Sequence, residues 1–175
     1  MLQRNFITTK PGEAWCSDFT YIQINSKYYF LVVIIDLFNR EIISWELSEN
    51  QQTPTLIKCF ENAVKRNLQQ EGCIFHSDRG SQYASNEFRR ALRLAKMKQS
   101  MSRSGNCWDN AVAESFFKTL KVEFANEQKF WSLDDARSKL FYFIEIFYNR
   151  KRIHSRLGFT GTVSYNESLM TLFLS

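Results

Sequence analysis

Three carboxylates of this sequence stand where ordinary surface acids need not. Asp18 falls inside the run "AWCSDFTYIQI", flanked by Trp15, Phe19, Tyr21 and Ile22, where an ionised carboxylate is costly to desolvate unless donors or a cation meet it. Asp78 follows the short apolar run of "CIFHSD" and precedes Arg79-Gly80, at the carboxyl end of an expected strand, where ligand sites gather in α/β sheets. Glu114 lies early in the helical stretch "DNAVAESFFKTLKVEFAN". At 100° per residue, Lys118 and Lys121 fall about 40° and about −20° from it, while Ala113, Phe117, Leu120 and Phe124 lie roughly a quarter-turn away. Each acid also has an ordinary explanation: an edge-strand Asp facing water, a β-turn Asp, and a solvated i,i+4 pair of Glu with Lys. Together they offer oxygen ligands only, a set suited to Mg²⁺ or Mn²⁺ rather than zinc. Such a set can hold two ions about 3.5–4 Å apart, which activate an attacking oxygen and stabilise a leaving one in phosphoryl transfer.

Bringing the three acids together requires a particular order of elements. "AWCSDFTYIQI" and "KYYFLVVIIDLF" read as strands joined by the polar link Asn25-Ser26, and "REIISWEL" is a third strand, giving an antiparallel meander. "TPTLIKCFENAVKRNLQQEG" reads as an amphipathic helix with Thr53 as N-cap and Pro54 in the first turn. Gly72 is its stop, and Leu56, Ile57, Phe60, Val64 and Leu68 are its apolar side. "CIFHSD", "SNEFRRALRLA" and "MKQSMS" then predict strand, helix and strand, the later strands parallel to the first. After the polar loop "SRSGNCWDN", Asp109 is the expected N-cap of the Glu114 helix. A serine-capped helix, "SLDDARSKLFYFIEIFYNRKR", puts Leu140, Phe143, Ile144 and Phe147 on one side. The expected fold class is α/β, with a mixed five-stranded sheet flanked by helices. The expected organisation is an extended lead-in over residues 1–13, a core over 14–159 and a tail over 160–175.

Composition sets bounds on the chemistry. With 175 residues, 44% of them hydrophobic, one well-filled domain is the default. A net charge of +5 allows a polyanionic partner without demanding one. Cys16, Cys59, Cys73 and Cys107 are far apart and form no Cys-x-x-Cys pair, so they read as reduced, mostly buried thiols rather than a zinc site. The N-terminus carries no apolar signal core, and no run approaches the roughly 18 apolar residues of a membrane helix. A soluble cytoplasmic protein is expected.

Five segments in order, "WCSDFTYI", "VVIIDLFNREIISWEL", "FHSDRGSQYAS", "SMSRSGNCWDNAVAESFFKTLKVE" and "YFIEIFYNRKRIHSRLGF", resemble the catalytic core of bacterial insertion-sequence transposases of the OrfB type, relatives of retroviral integrases. The likeness runs from about Asn5 to Phe159, and residues 79–113 number thirty-five, so Asp78 and Glu114 reproduce the D-D-35-E interval of that group. The resemblance implies an RNase H-like fold and cleavage and joining of DNA at transposon ends, dependent on Mg²⁺ or Mn²⁺, two ions being expected. Asp18, Asp78 and Glu114 match the metal-binding catalytic triad. The implied partners are DNA, as transposon ends and target, and further copies of the chain assembled on it, with association to the nucleoid when DNA is bound.

Expected DNA contacts are Lys118 and Lys121, which share the Glu114 side of the helix, and Arg103 and Asn106 in the polar loop. His76 is either a structural histidine or one that tunes the site. Arg150, Lys151, Arg152 and His154 are either DNA contacts or a solvated helix end, and Trp108 either stacks on a base or anchors its loop. The segment "TGTVSYNESLMTLFLS" departs from the proline-containing ending usual in the family, and no helix-turn-helix precedes Asn5, which predicts a core lacking its end-recognition module. Two alternatives to an active transposase core stand beside this reading. One is a non-catalytic DNA-binding or multimerising remnant that modulates a full-length transposase. The other is a nuclease acting on RNA-DNA hybrids.

Overall fold

The computed structural model describes residues 8–66, 68–102, 111–154 and 160–161. Arg103, Asn106, Cys107, Trp108 and Asp109 lie outside these residues, as does the tail from residue 162 onward.

Strands β1 (Ala14–Ile24), β2 (Lys27–Asp36) and β3 (Ile42–Ser48) form the expected antiparallel meander. The β1–β2 turn places Asn25 at φ 52°, a left-handed conformation that asparagine tolerates better than most residues. Strands β4 (Ile74–Ser77) and β5 (Lys98–Met101) add on in parallel, giving the order β3-β2-β1-β4-β5. This is the expected mixed five-stranded sheet, three antiparallel strands followed by two parallel ones.

Both faces of the sheet are covered. From Leu31 to Ile35 strand β2 is fully buried, a continuous apolar run of the kind that central strands of two-sided sheets require. Leu31, Val33 and Ile35 join Ala14, Cys16 and Ile22 on one face, against Phe116, Phe117 and Leu120 of α4 (Ala111–Leu120) and Leu140 of α5 (Leu133–Phe141). Val32 and Ile34 join Trp15 and Phe75 on the other. There they meet Leu56 and Phe60 of α1 (Thr53–Lys65), Tyr83 of the short α2 (Ser81–Ala84) and Phe88 of α3 (Asn86–Leu94). Phe60, Phe75 and Phe88 pack edge to face, with ring centroids 5.2–5.6 Å apart, a geometry the aromatic quadrupole favours.

Helix α4 runs on as a π-helical stretch, Lys121–Ala125, and α5 as another, Tyr142–Tyr148. Ser132 caps α5 by accepting from the Asp135 amide, as the sequence predicts, and Ser85 caps α3 by accepting from Phe88. Asn149, just past the second π-helical stretch, donates to the Ile42 carbonyl at 3.0 Å and accepts from the Ile42 amide at 2.9 Å. It thereby pins the helical layer to the sheet at β3. A two-stranded ribbon pairs β6 (Ile153–His154) with β7 (Thr160–Gly161).

Three details differ from expectation around α1. Its N-cap is Gln52, with no side-chain cap, so Thr53 is inside the helix rather than capping it. The helix ends at Lys65 instead of continuing to Gly72, and Leu68 is exposed rather than on the apolar side. The chain must leave the helix early because Gln70 donates to the Gly12 carbonyl and Ile74 to the Glu13 carbonyl, contacts a helix through this segment would forbid. Gly12, at φ 79°, is required there: a Cβ would stand 2.0 Å from the Leu68 carbonyl oxygen.

Candidate active site

Sheet register explains how two of the three acids meet. Strands β1 and β4 pair in parallel with Cys16 opposite His76. Two residues further along each strand direction stand Asp18 and Asp78, on the same face by the two-residue alternation of strands. That face is the one α4 packs against, and Glu114 sits in the first turn of α4. The three acids thus come from β1, the end of β4 and the start of α4.

Their surroundings differ. Asp18 is half-buried, and its Oδ1 accepts from the Phe19 amide at 2.8 Å. Burial pushes its carboxyl up to about 7; the Phe19 amide works against this, and the negative charges of Asp78 and Glu114 add to it. Asp78 and Glu114 themselves are exposed. Asp78 Oδ1 accepts from the Gly80 amide at 2.8 Å, so the turn explanation is correct as geometry and leaves its second oxygen without a hydrogen bond among the described residues. A Cβ on Gly80 would stand 3.0 Å from that same Oδ1 and 2.8 Å from Gln82 Oε1, so glycine is what lets the turn close over the carboxylate. No ion pair joins Glu114 to Lys118 among the described residues, so the simple i,i+4 explanation of Glu114 is not realised.

Beneath the acids lies a polar layer that sequence reasoning largely missed. His76 is buried, with Nδ1 3.0 Å from Ser100 Oγ and Nε2 3.2 Å from Ser102 Oγ. Ser102 also donates through its amide and its hydroxyl to the Ser77 carbonyl, and Arg79 Nε donates to the Ser102 carbonyl at 2.8 Å. Ser17 and Tyr83 share a buried hydroxyl contact of 2.9 Å. These bonds fix how the chain leaves β4 and so where Asp78 points. The structural explanation of His76 holds, and the visible sign of it was "SMS", serines alternating along β5 beside the histidine.

By donor type the residues fit a divalent cation: the donors are all oxygen, and Asp18 carries a charge that burial and its neighbours make costly, which a cation would relieve. They are not gathered into a finished cage, since among the described residues no three His, Cys, Asp or Glu side chains are grouped closely enough to hold an ion as they stand. Asp78 and Glu114, being exposed, have room to turn toward Asp18.

Of the expected DNA contacts, Lys118 is exposed one turn beyond Glu114. Lys121 is only partly exposed, its Nζ 4.4 Å from the centre of the Tyr21 ring. In the basic run, Arg152 is held by both oxygens of Glu123 at 2.7–3.3 Å, while Arg150 and Lys151 are exposed.

Comparison with known proteins decides the family. The integrase core domain matches residues 8–107, and a second integrase core domain family matches residues 95–160. The chain belongs to the integrase core domain family. It is 40% identical over 167 residues to the transposase for insertion sequence element IS904 of Lactococcus lactis, covering 95% of this chain and 66% of that one. It is 35% identical over 158 residues to transposase InsF for insertion sequence IS3A of Escherichia coli K12, covering 90% of this chain and 55% of that one. It thus resembles insertion-sequence transposases in its integrase core, and it spans 55–66% of the length of those relatives. Two solved structures share the fold. The HTLV-2 integrase catalytic core domain in complex with magnesium has a TM-score of 0.68 at 16% identity, over 91% of this chain and 99% of that one. The catalytic domain of Mos1 mariner transposase has a TM-score of 0.65 at 16% identity, over 77% of this chain and 71% of that one. No helix among the described residues is long and apolar enough to cross a membrane.

Proposed function

We propose that this chain carries the catalytic core, over residues 14–159, of a transposase that cuts DNA at transposon ends and joins them to a target, with Asp18, Asp78 and Glu114 as the metal-binding catalytic triad. The observation that carries this reading is the convergence of the three acids. Strand register puts Asp18 and Asp78 on one sheet face, Glu114 begins the helix packed on that face, and Asp78 and Glu114 stand at the D-35-E interval.

Mg²⁺ or Mn²⁺, two ions in the full site, would be held by the three carboxylates and would supply polarisation of the attacking and departing oxygens. The chain's own part is positional. Asp18 is anchored in the sheet and defines the floor, while Asp78 and Glu114 close from the strand end and the helix start. Lys118, exposed one turn beyond Glu114, would neutralise a phosphate of the strand being cut. Two displacements follow at phosphorus. In the first, a water oxygen bonds to phosphorus, the bond to the 3′-oxygen breaks, and a proton passes to that oxygen to leave a free 3′-hydroxyl. In the second, this 3′-oxygen bonds to a target phosphorus and the target's own 3′-oxygen departs with the proton. No covalent bond to protein is required.

The direct test is strand transfer of a pre-cleaved transposon end in Mg²⁺ or Mn²⁺, where activity surviving Asp78→Asn sinks the assignment. An RNA-DNA hybrid run in parallel separates transposition from nuclease action of the RNase H type. The second reading is a non-catalytic remnant that binds DNA or co-assembles with a full-length transposase. It predicts DNA binding, and inhibition of an intact transposase, without metal-dependent turnover. Assembly into a homo-oligomer on DNA belongs to the first reading and is checked by mass measurement of the complex.

A further inference from the structure

Away from the acids, a cleft of about 560 Å³ opens between the tip of the β1–β2 hairpin and the chain that follows the first π-helical stretch. Tyr21, Tyr28 and Trp131 line it and are 55%, 58% and 70% exposed. Three large rings left in water around one cleft cost apolar burial that the fold does not recover, which marks a surface made for a partner. The rings are ordered. Tyr21 and Tyr28 meet edge to face at 5.3 Å, Lys121 lies over Tyr21 at 4.4 Å, and Asn25 of the hairpin turn donates to the Trp131 carbonyl at 3.1 Å, tying one wall to the other. The Trp131 amide is held in turn by Asp135 Oδ2 at 2.9 Å.

Charge selects the partner. The lining contains Lys121 and Lys129 and amides from Gln23, Asn25, Asn126 and Gln128, but no carboxylate side chain. Cations for phosphates, exposed rings for bases and amides tolerant of any base edge are the ingredients by which proteins hold single-stranded nucleic acid without sequence preference. Position agrees with this. Tyr21 lies three residues beyond Asp18, about 10 Å along β1 and on the other face by strand alternation, while Ile22, also in the lining, shares the Asp18 face. Lys121 lies seven residues beyond Glu114, about 10 Å along α4. Strand and helix run side by side from the acids to the cleft, with exposed Lys118 between.

We infer that this cleft is a binding site for an unpaired DNA strand, with Tyr28 and Trp131 stacking on bases and Lys121 and Lys129 meeting phosphates. The inference rests on the proposed function for the choice of DNA over RNA, and it adds a site for the strand some two to three nucleotides from the acids. A frayed or displaced strand at a transposon end would be held there, which keeps the duplex open beside the reacting phosphate.

The test is binding of a fluorescein-labelled oligothymidine of about twelve nucleotides, against a duplex of equal length, to the whole chain in EDTA so that turnover plays no part. Tyr28→Ala and Trp131→Ala are each expected to weaken single-strand binding by about tenfold or more, leaving duplex binding within about twofold. Tyr28→Phe, which keeps the ring, should bind like the unaltered chain, and thermal melting of each variant reports whether it folds. Equal weakening toward strand and duplex, or no weakening by either alanine variant, overturns the inference. So does a single strand bound no more tightly than duplex by the unaltered chain. Because binding is read in EDTA, a chain that fails strand transfer yet binds oligothymidine as expected points to a failed triad, and the reverse pattern to a failed cleft.

Discussion

Asp36, buried, and Asp18, half-buried, are carboxylates on adjacent strands whose charges are met in different ways. Asp36, at the corner where β2 ends, accepts from the Gly12 amide at 2.7 Å through one oxygen and from the Phe38 amide at 2.8 Å through the other. Asp18, in the middle of β1, has one amide partner, Phe19, and faces two more carboxylates. Burial raises both, Asp36 to about 6 and Asp18 to about 7. At the corner the fold meets the charge with its own backbone and uses it to join the lead-in to β2. At the acidic cluster the fold leaves the charge unmet and surrounds it with like charges. The first arrangement stabilises the protein; the second suits a ligand from outside.

Substitution at the cluster should show the largest effect. Asp78→Asn or Glu114→Gln is expected to lower strand transfer at least about a hundredfold, with thermal melting nearly unchanged because both side chains are exposed. A melting loss as large as the activity loss would erase the contrast with Asp36.

Next comes stability. Asp36→Ala should destabilise the fold by about 2–3 kcal/mol, because it strands two buried amide donors. Asp18→Asn should be neutral or stabilising above pH 7, because it removes a charge the fold does not neutralise. Urea unfolding of the two variants side by side measures this difference.

A smaller effect concerns pH. The folded-state value for Asp36 lies above its ordinary one of 3.8, so its contribution to stability is fully present below that value and is lost as pH rises through about 6. Asp18 has the same sign over a range reaching about 7. Unfolding free energies from pH 3.5 to 7.5 should therefore fall less steeply in Asp18→Asn/Asp36→Asn than in Asp18→Asn alone. Equal slopes would show that Asp36 does not titrate differently on folding.

The smallest effect belongs to Lys118. Lys118→Ala should weaken duplex binding a few-fold and reduce the slope of log affinity against log salt by about 1, leaving stability unchanged. An unchanged salt slope would place the DNA path elsewhere on α4.

The elements that carry the three acids are legible in the sequence, whereas the role of Asp36 is not. The strand containing Asp18, the strand end at Asp78 and the helix carrying Glu114 all follow from local periodicity and turn residues, and the thirty-five-residue interval linked two of them. What stayed hidden depends on distant partners. Asn149 reads as a helix-end residue, yet its amide completes the edge of β3 107 positions earlier in the chain. Leu68 fits a helical pattern that stops early because Gly12 and Glu13 claim the backbone of the next segment. The cleft escaped notice because Tyr21 and Tyr28 read as strand aromatics and Trp131 as a loop residue. Lys121, an expected DNA contact, also lies over Tyr21, a pairing between distant segments that local sequence does not announce.

The central claim is that Asp18, Asp78 and Glu114 form a divalent-cation site, and a crystal soaked in Mn²⁺ and measured for anomalous scattering tests it most directly. The account predicts an anomalous peak bridging the carboxylates of Asp18 and Asp78, with Glu114 turned within reach of the same ion or a second one. Ordered, unobstructed carboxylates with no peak at saturating Mn²⁺ would contradict it.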